Sequence, residues 1–377
     1  KVIAEILKLA IGEHAMSRKS KLFWYLLKFL NNWLSILYLG GIISIDFNNF
    51  FLINLTYKFM FRLFLTLTIF LNFSLFSFSN EDYSKDYNLL GNKLKIIIKT
   101  TNLDKKVFKR IKKTLKNIEL IIDPYNSSSF LYRFNALEKN TEISAPDLFV
   151  DTFNLMRNYN KITQNSFNPT AFSILTNNSS DLKKIKFYLD TGLYDKCLNI
   201  SNITTKIRNV FSKKLSCTKI SFDSAIHGII VENIKYILER ENLESFYISF
   251  GNTIYYKNFE SNMPSYNPRI QEILDINQIS LKKFSSYSYL DIADKKVRTF
   301  NINSASRKLV VKDDIVIIVS SDSPVNNSIL SNTLNLLDFD TIKKLKFINS
   351  EIPILIIYKE NDFYIRRYSK SFQQYFN

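Results

Sequence analysis

Between residues 92 and 122 the spacing of apolar positions changes period once. "NKLKIIIKT" (92–100) predicts a strand, with Leu94, Ile96 and Ile98 at alternate positions. "KKVFKRIKKTLKNIE" (105–119) then sets Val107, Ile111, Leu115 and Ile118 near helical spacing, with lysines on the other side. That pattern predicts a basic amphipathic helix. "IELIIDPYN" (118–126) predicts a strand entering a loop. Farther on, "ISAPDLFVDTFNLMRNYNKIT" (143–163) predicts a helix capped by Ser144, with Pro146 in its first turn. "TKISFD" (218–223) predicts a strand, and Ser224 an N-cap for a helix through about Glu241. On that helix Ile226, Ile229, Ile230, Ile234, Ile237 and Leu238 form one apolar stripe. "SFYISFGNTIYYKNF" (245–259) predicts a strand or hairpin, "DIVIIVSS" (314–321) a buried strand, and "SILSNTLNLL" (328–337) a helix. "IPILIIYKENDFYIRRYS" (352–369) predicts a closing hairpin. Strands and helices are mixed without regular βα alternation. That argues for an α+β fold over a doubly wound one.

The first eighty residues follow a different pattern. From Met16, "MSRKSKLFWYLLKFLNNWLSILYLGGII" is an apolar run interrupted by Lys28, Asn31 and Asn32, which makes a poor spanning helix. From Met60, "MFRLFLTLTIFLNFSLFSFSN" places Arg62 before an apolar stretch and small polar residues after it. That is the organisation of a secretory signal peptide. The expected division is therefore an extension over 1–59, a signal peptide or membrane anchor over 60–80, and a folded domain over 90–377. The extension is either membrane-associated or not translated. The domain is expected to be exported to the periplasmic side, with membrane association through the N-terminus.

Composition changes this picture in three ways. A 46% apolar and 15% aromatic content is enough for a packed core and argues against general disorder. The formal charge of +17 suggests attraction to anions such as nucleic acid, acidic headgroups or a phosphorylated ligand, although solvated lysine faces are the favoured account of it. The charge is spread along the chain, and an export signal argues against nucleic acid, so no nucleic-acid partner is expected. Cys197 and Cys217 could form a disulfide in an exported domain or remain free thiols. No zinc spacing, Walker loop or GxGxxG loop is present.

Six weak blocks occur in a fixed order. They are "YNSSSFLYRFN" (125–135), "TQNSFNPTAFSIL" (163–175), "SFDSAIHGIIVE" (221–232), "YISFGNTI" (247–254), "YSYLDIADK" (287–295) and "IIVSSDSPVNNSILSNTLNLL" (317–337). Their order over roughly 92–360 resembles the FAD:protein FMN transferase (ApbE-type) family, as a divergent member with degraded motifs. The resemblance implies that family's α+β fold, mixed or antiparallel sheets with flanking helices, with FAD as flavin donor and Mg²⁺ as metal. It also implies transfer of FMN to a Thr or Ser hydroxyl of an acceptor protein, with AMP leaving. Such a displacement at phosphorus needs charge neutralisation and a positioned hydroxyl.

Carried over block by block, the resemblance implies flavin contacts at Asn135, Ser166, Phe167, Asn168, Gly228, Gly251, Asn252 and Ser288. It puts catalysis at His227, where the family has Lys, and at Ser221, where it has Asp. It puts metal ligands at Ser224 (through its carbonyl), Ser328 and Asn332; the last two stand where the family has Asp and Thr. Asp291 alone retains its acid, and without carboxylate charge Mg²⁺ affinity falls sharply. Activity is accordingly expected to be weakened or lost, with a non-catalytic flavin- or partner-binding envelope protein as the alternative. Each position also has a local reading. Ser328 and Asn332 can cap and face solvent, Asn168 is an ordinary turn residue, and Gly251 can mark a bulge. Asp223 can cap its helix, and His227 can be a partly buried neutral histidine or the edge of a phosphate-binding helix start.

Overall fold

The computed structural model describes residues 81–376, apart from 176–181, 194, 208, 260–271, 273, 277–278, 280–284, 292–301, 311–314, 339–340, 343–350 and 361–362. The segments expected as extension (1–59) and as signal peptide or anchor (60–80) lie outside the described residues. Among the described residues no helix is long and apolar enough to cross a membrane.

Eight strands form one sheet. In chain order they are β1 (Glu81–Leu89), β2 (Asn92–Thr100), β6 (Ser245–Phe250), β7 (Thr253–Lys257), β8 (Ser286–Asp291), β11 (Ile315–Val319), β12 (Ile354–Glu360) and β13 (Phe363–Tyr368). They lie side by side in that same order, every pair antiparallel. A small sheet orders β3 (Glu142–Ser144), β5 (Val210–Lys213) and β4 (Ile203–Ile207), and β9 (Ile302–Asn303) pairs with β10 (Lys308–Leu309). The helices are α1 (Lys106–Ile122), α2 (Phe130–Ala136), α3 (Asp147–Ile162), α4 (Leu182–Thr191), α5 (Asp223–Arg240) and α6 (Pro324–Asn335). Short helical turns cover Pro169–Leu175.

The middle of the sheet is buried on both faces, which is why β11 reads "IVIIV" without alternation, while the edge strands β1 and β13 are largely exposed. On one face Leu94, Ile96, Ile98, Phe246, Ile248, Ile315 and Ile317 join the apolar stripes of α1, α5 and α6 in the main core. On the other, Tyr247, Ile254, Val316, Ile318 and Leu355 form a second cluster with Phe372, on the C-terminal 3-10 helix Lys370–Tyr375. The α+β class, the β2 strand, the β6–β7 and β12–β13 hairpins and the basic helix match the sequence pattern.

Four local expectations are corrected. "IELIIDPYN" is no strand: α1 runs on to Ile122, because Ile118, Ile121 and Ile122 continue its buried stripe. Ser144 is in β3 rather than at a cap, and α3 starts at Asp147 after Pro146. Ser224 lies inside α5; Ser221 Oγ instead accepts from the Asp223 N–H at 3.0 Å, ahead of the first turn. The final helix begins at Pro324 rather than Ser328, with Ser323 Oγ accepting from the Asn326 N–H.

A fifth correction is "TKISFD", expected as a strand, which belongs to no ladder. Side chains take the place of a neighbouring strand: Asn135 Nδ2 donates to the Ile220 carbonyl and Asn135 Oδ1 accepts from the Ile220 N–H, both at 2.8 Å, while Ser173 Oγ pairs with the Lys219 carbonyl and N–H. Buried backbone groups need partners, and here side chains supply them. The Asn135 carbonyl in turn accepts from Lys213 Nζ at 2.8 Å, and the Ser216 carbonyl does so at 3.1 Å.

Lys213 is fully buried. Burial, with a smaller push from Lys219, lowers its pKa from the usual 10.5 to about 8. Between those values the unfolded chain binds the proton that the folded chain has released, so stability rises with pH across that window. Urea unfolding at pH 8 and pH 10.5 should show this gain in the wild type, and Lys213→Met should remove it. Equal pH slopes in the two proteins would refute the assignment.

Candidate functional site

Three elements converge at one end of the helix-covered sheet face: the first turns of α5, the middle of α6, and the β6–β7 turn. The approach of α5 to α6 is set by Gly228. A Cβ there would lie 2.5 Å from the Val325 Cα and would run into the Pro324 carbonyl oxygen. Glu232 completes the clamp, with Oε2 accepting from Ser323 Oγ at 2.8 Å and from the Val325 N–H at 3.1 Å.

That close crossing brings the three expected metal positions together. Ser328 Oγ donates to the Ser224 carbonyl at 2.9 Å. Asn332 Nδ2 donates to the same carbonyl at 3.3 Å and to the Ser328 carbonyl at 2.8 Å. Ser328 and Asn332 are buried, so the expectation that they face solvent is corrected. They sit one turn apart on the face of α6 that meets α5. Ser224 Oγ and Asn332 Oδ1 are buried and have no hydrogen-bond partner. This donor set does not fit Mg²⁺. The hydroxyl and the amide N–H both donate to the carbonyl, and among the described residues no carboxylate is hydrogen-bonded to them. Among the described residues no group of three His, Cys, Asp or Glu could hold a metal ion.

His227 lies beside this cluster with its ring against the β6–β7 turn. Its Nδ1 meets Asn252 Oδ1 at 2.6 Å, so Nδ1 carries the proton and the amide fixes the tautomer. The ring stands edge-on to Phe250, with centroids 5.3 Å apart. Gly251 is the first residue of the two-residue turn, at φ +55, and marks no bulge. A Cβ there would come within 2.5 Å of the His227 ring. This is the setting of a partly buried, positioned histidine. Below it, Ser288 Oγ and Thr253 Oγ1 share a 2.8 Å hydrogen bond, both fully buried.

The other expected flavin positions form a second group. Asn168 Oδ1 accepts from the Thr170 N–H and hydroxyl, while its Nδ2 donates to Asn165 Oδ1 and the Leu198 carbonyl. Its amide is therefore spent on local structure. Phe167 is buried edge-on to Tyr159, whose hydroxyl reaches Asn326 Oδ1 on α6 at 3.3 Å. The Ser166 carbonyl accepts from the Ser304 N–H, and the Pro169 carbonyl from the Ser221 N–H. Ser221 thus joins the two groups, while Asn135 stands behind them on Ile220.

Next to Asn168 opens a cleft of about 480 Å³ lined by Asn160, Asn165, Asp195, Leu198, Asn199, Ser304, Ala305 and Arg307. Asp195 and Arg307 are ion-paired across it. This cleft is open, whereas Ser224, Ser328 and Asn332 are buried. Sequence reasoning missed these lining residues because, apart from Asn160 near the end of α3, they lie outside the periodic elements. Only Asn165 and Leu198 have a readable neighbour, in Asn168.

Two helices meeting over the end of an antiparallel sheet, with a glycine-led turn beneath them, define a protein of the flavin-transferase fold class. The ApbE family model matches residues 90–299, and the chain belongs to that family. Solved structures share its fold at low identity. The flavin transferase ApbE from Vibrio cholerae is 14% identical, with a TM-score of 0.63 over 78% of this chain and 99% of that one. The apo flavinyl transferase ApbE of Pseudomonas stutzeri is 12% identical, with a TM-score of 0.62 over 79% and 97%. The ApbE protein of Thermotoga maritima is 14% identical, with a TM-score of 0.61 over 79% and 100%. No curated protein sequence matches.

Proposed function

We propose that this chain is an exported flavin-transferase homologue that binds FAD between the α5 start and the Asn168 cleft, with FMN transfer weakened or lost. The resemblance supplies the substrate class and the acceptor, a protein presenting a Thr or Ser hydroxyl. The observation that carries the loss is the Ser224–Ser328–Asn332 cluster, where neutral hydrogen-bonding groups stand at the positions expected to gather charge around a pyrophosphate. His227, packed on Gly251 and bonded to Asn252, supports a positioning role beside the flavin rather than proton transfer. Ser221 serves the helix start by accepting from the Asp223 N–H. The same closed cluster favours a second reading, a flavin- or partner-binding envelope protein with no transferase activity. Export through the 60–80 segment, with anchoring at the membrane, belongs to both readings.

The test incubates the full chain with FAD, Mg²⁺ and an acceptor domain carrying a flavinylation threonine. Free FAD should quench and co-elute with the chain, while in-gel fluorescence of the acceptor stays at the level of the no-enzyme control. Covalent flavin on the acceptor at the rate of an active flavin transferase would refute the loss. Absence of FAD binding would refute the flavin pocket.

A further inference from the structure

The bridge between α5 and α6 is complete without any ion. The Ser224 carbonyl, besides its place in the α5 ladder, accepts from Ser328 Oγ at 2.9 Å and Asn332 Nδ2 at 3.3 Å, so both side chains that face it act as donors. Asn332 Nδ2 also reaches back to the Ser328 carbonyl at 2.8 Å, closing the cluster within α6. All three residues are at most 3% exposed, so no bulk water competes for these groups. The two oxygens left over, Ser224 Oγ and Asn332 Oδ1, are neutral. Together they can hold a water but cannot offset two positive charges in a site closed to solvent. Asp223 is half-exposed at the helix start, and Glu232 is spent on Ser323 and Val325.

We infer that Ser224, Ser328 and Asn332 form a metal-free clasp, direct hydrogen bonds doing between α5 and α6 what a divalent cation would do, so that a phosphate-bearing ligand at this helix start is held without Mg²⁺. The clause about the ligand rests on the flavin reading above; the clasp itself does not. The clasp locks the first turn of α5 against α6 through uncharged groups. Its strength is therefore insensitive to chelators and to ionic strength, because no screened charge takes part.

The experiment uses the full chain and Mg²⁺ itself as the probe. Calorimetric titration should show no Mg²⁺ binding, and the thermal midpoint should move by less than about 1 °C between millimolar Mg²⁺ and EDTA. Ser328→Ala should lower the midpoint by roughly 2–6 °C, equally in Mg²⁺ and in EDTA. FAD affinity should agree within about twofold under the two conditions. A midpoint raised several degrees by Mg²⁺ and reversed by EDTA would overturn the clasp, as would FAD affinity falling tenfold on chelation. If Ser328→Ala does not fold, the wild-type Mg²⁺ titration decides alone. A chain that binds no FAD overturns the proposed function, and the Mg²⁺ titration still decides the clasp.

Discussion

Gly228→Ala should lower the stability of this protein by about 3 kcal/mol or more, the largest loss expected from any single methyl group here. In an exposed helix the same change would stabilise by about 1 kcal/mol, because alanine is the better helix former. The opposite sign comes from what the new Cβ meets. Val325 Cα would stand 2.5 Å away, and the Pro324 carbonyl oxygen lies in its path. Both are backbone atoms in the first turn of α6, so no side chain can rotate aside. That turn is also pinned: Ser323 caps it, and Glu232, one turn along α5 from Gly228, holds Ser323 Oγ and the Val325 N–H. To relieve the clash α6 must move away from α5, which stretches the Ser328 to Ser224 bond at 2.9 Å. The thermal midpoint followed by circular dichroism should fall by roughly 5–10 °C. An unchanged or raised midpoint would mean that the helices do not cross here.

Gly228 also shows where sequence reasoning reaches its limit. The block order assigns it to the flavin, yet its place in the structure is explained by helix packing. The pattern makes β2, α1, α5, β11 and the closing hairpin legible, because each buries a face whose period shows in its apolar residues. Two kinds of element stay hidden. β1, "EDYSKDYNL", is an edge strand that packs Tyr83, Tyr87 and Leu89 inward, and its charged face reads as a loop. "TKISFD" has the composition of a strand, but its partners are the Asn135 and Ser173 side chains, which no periodicity announces. At the site, block order brings together Ser224, Ser328 and Asn332 from positions about a hundred residues apart in the chain. It does not show that their hydrogens turn inward on one carbonyl. Nor does it show the cleft beside Asn168, built from the end of α3 and from loops that lie far apart in the chain.

Replacing both Cys197 and Cys217 by serine should cost about 3 kcal/mol, close to what closing a loop of this length removes from the unfolded chain's entropy. The two sulfurs are bonded across a separation of 20 residues, which resolves the choice left open by the sequence. The closed loop contains β4 and β5 and returns at Thr218, where Asn202 Nδ2 donates to the Thr218 hydroxyl at 3.0 Å. Its two ends are the parts of the chain that shape the site. Leu198 and Asn199 follow Cys197 into the cleft wall, and Lys219, Ile220 and Ser221 follow Cys217 into the start of α5. Opening the loop therefore loosens the segment whose backbone is held by Asn135, Ser173 and Pro169. The effect should be concentrated there. Hydrogen exchange at Lys219–Ser221 should rise in the double variant, while exchange in β11 follows the global stability alone. A reducing agent should reproduce the drop in midpoint of roughly 5–10 °C in the wild type and leave the variant unchanged. Thiol titration of the unreduced, denatured wild type should find no free cysteine. Two free thiols per chain, or a variant as stable as the wild type, would refute the bond. The disulfide persists only in an oxidising compartment, so the proposed export and this staple stand together.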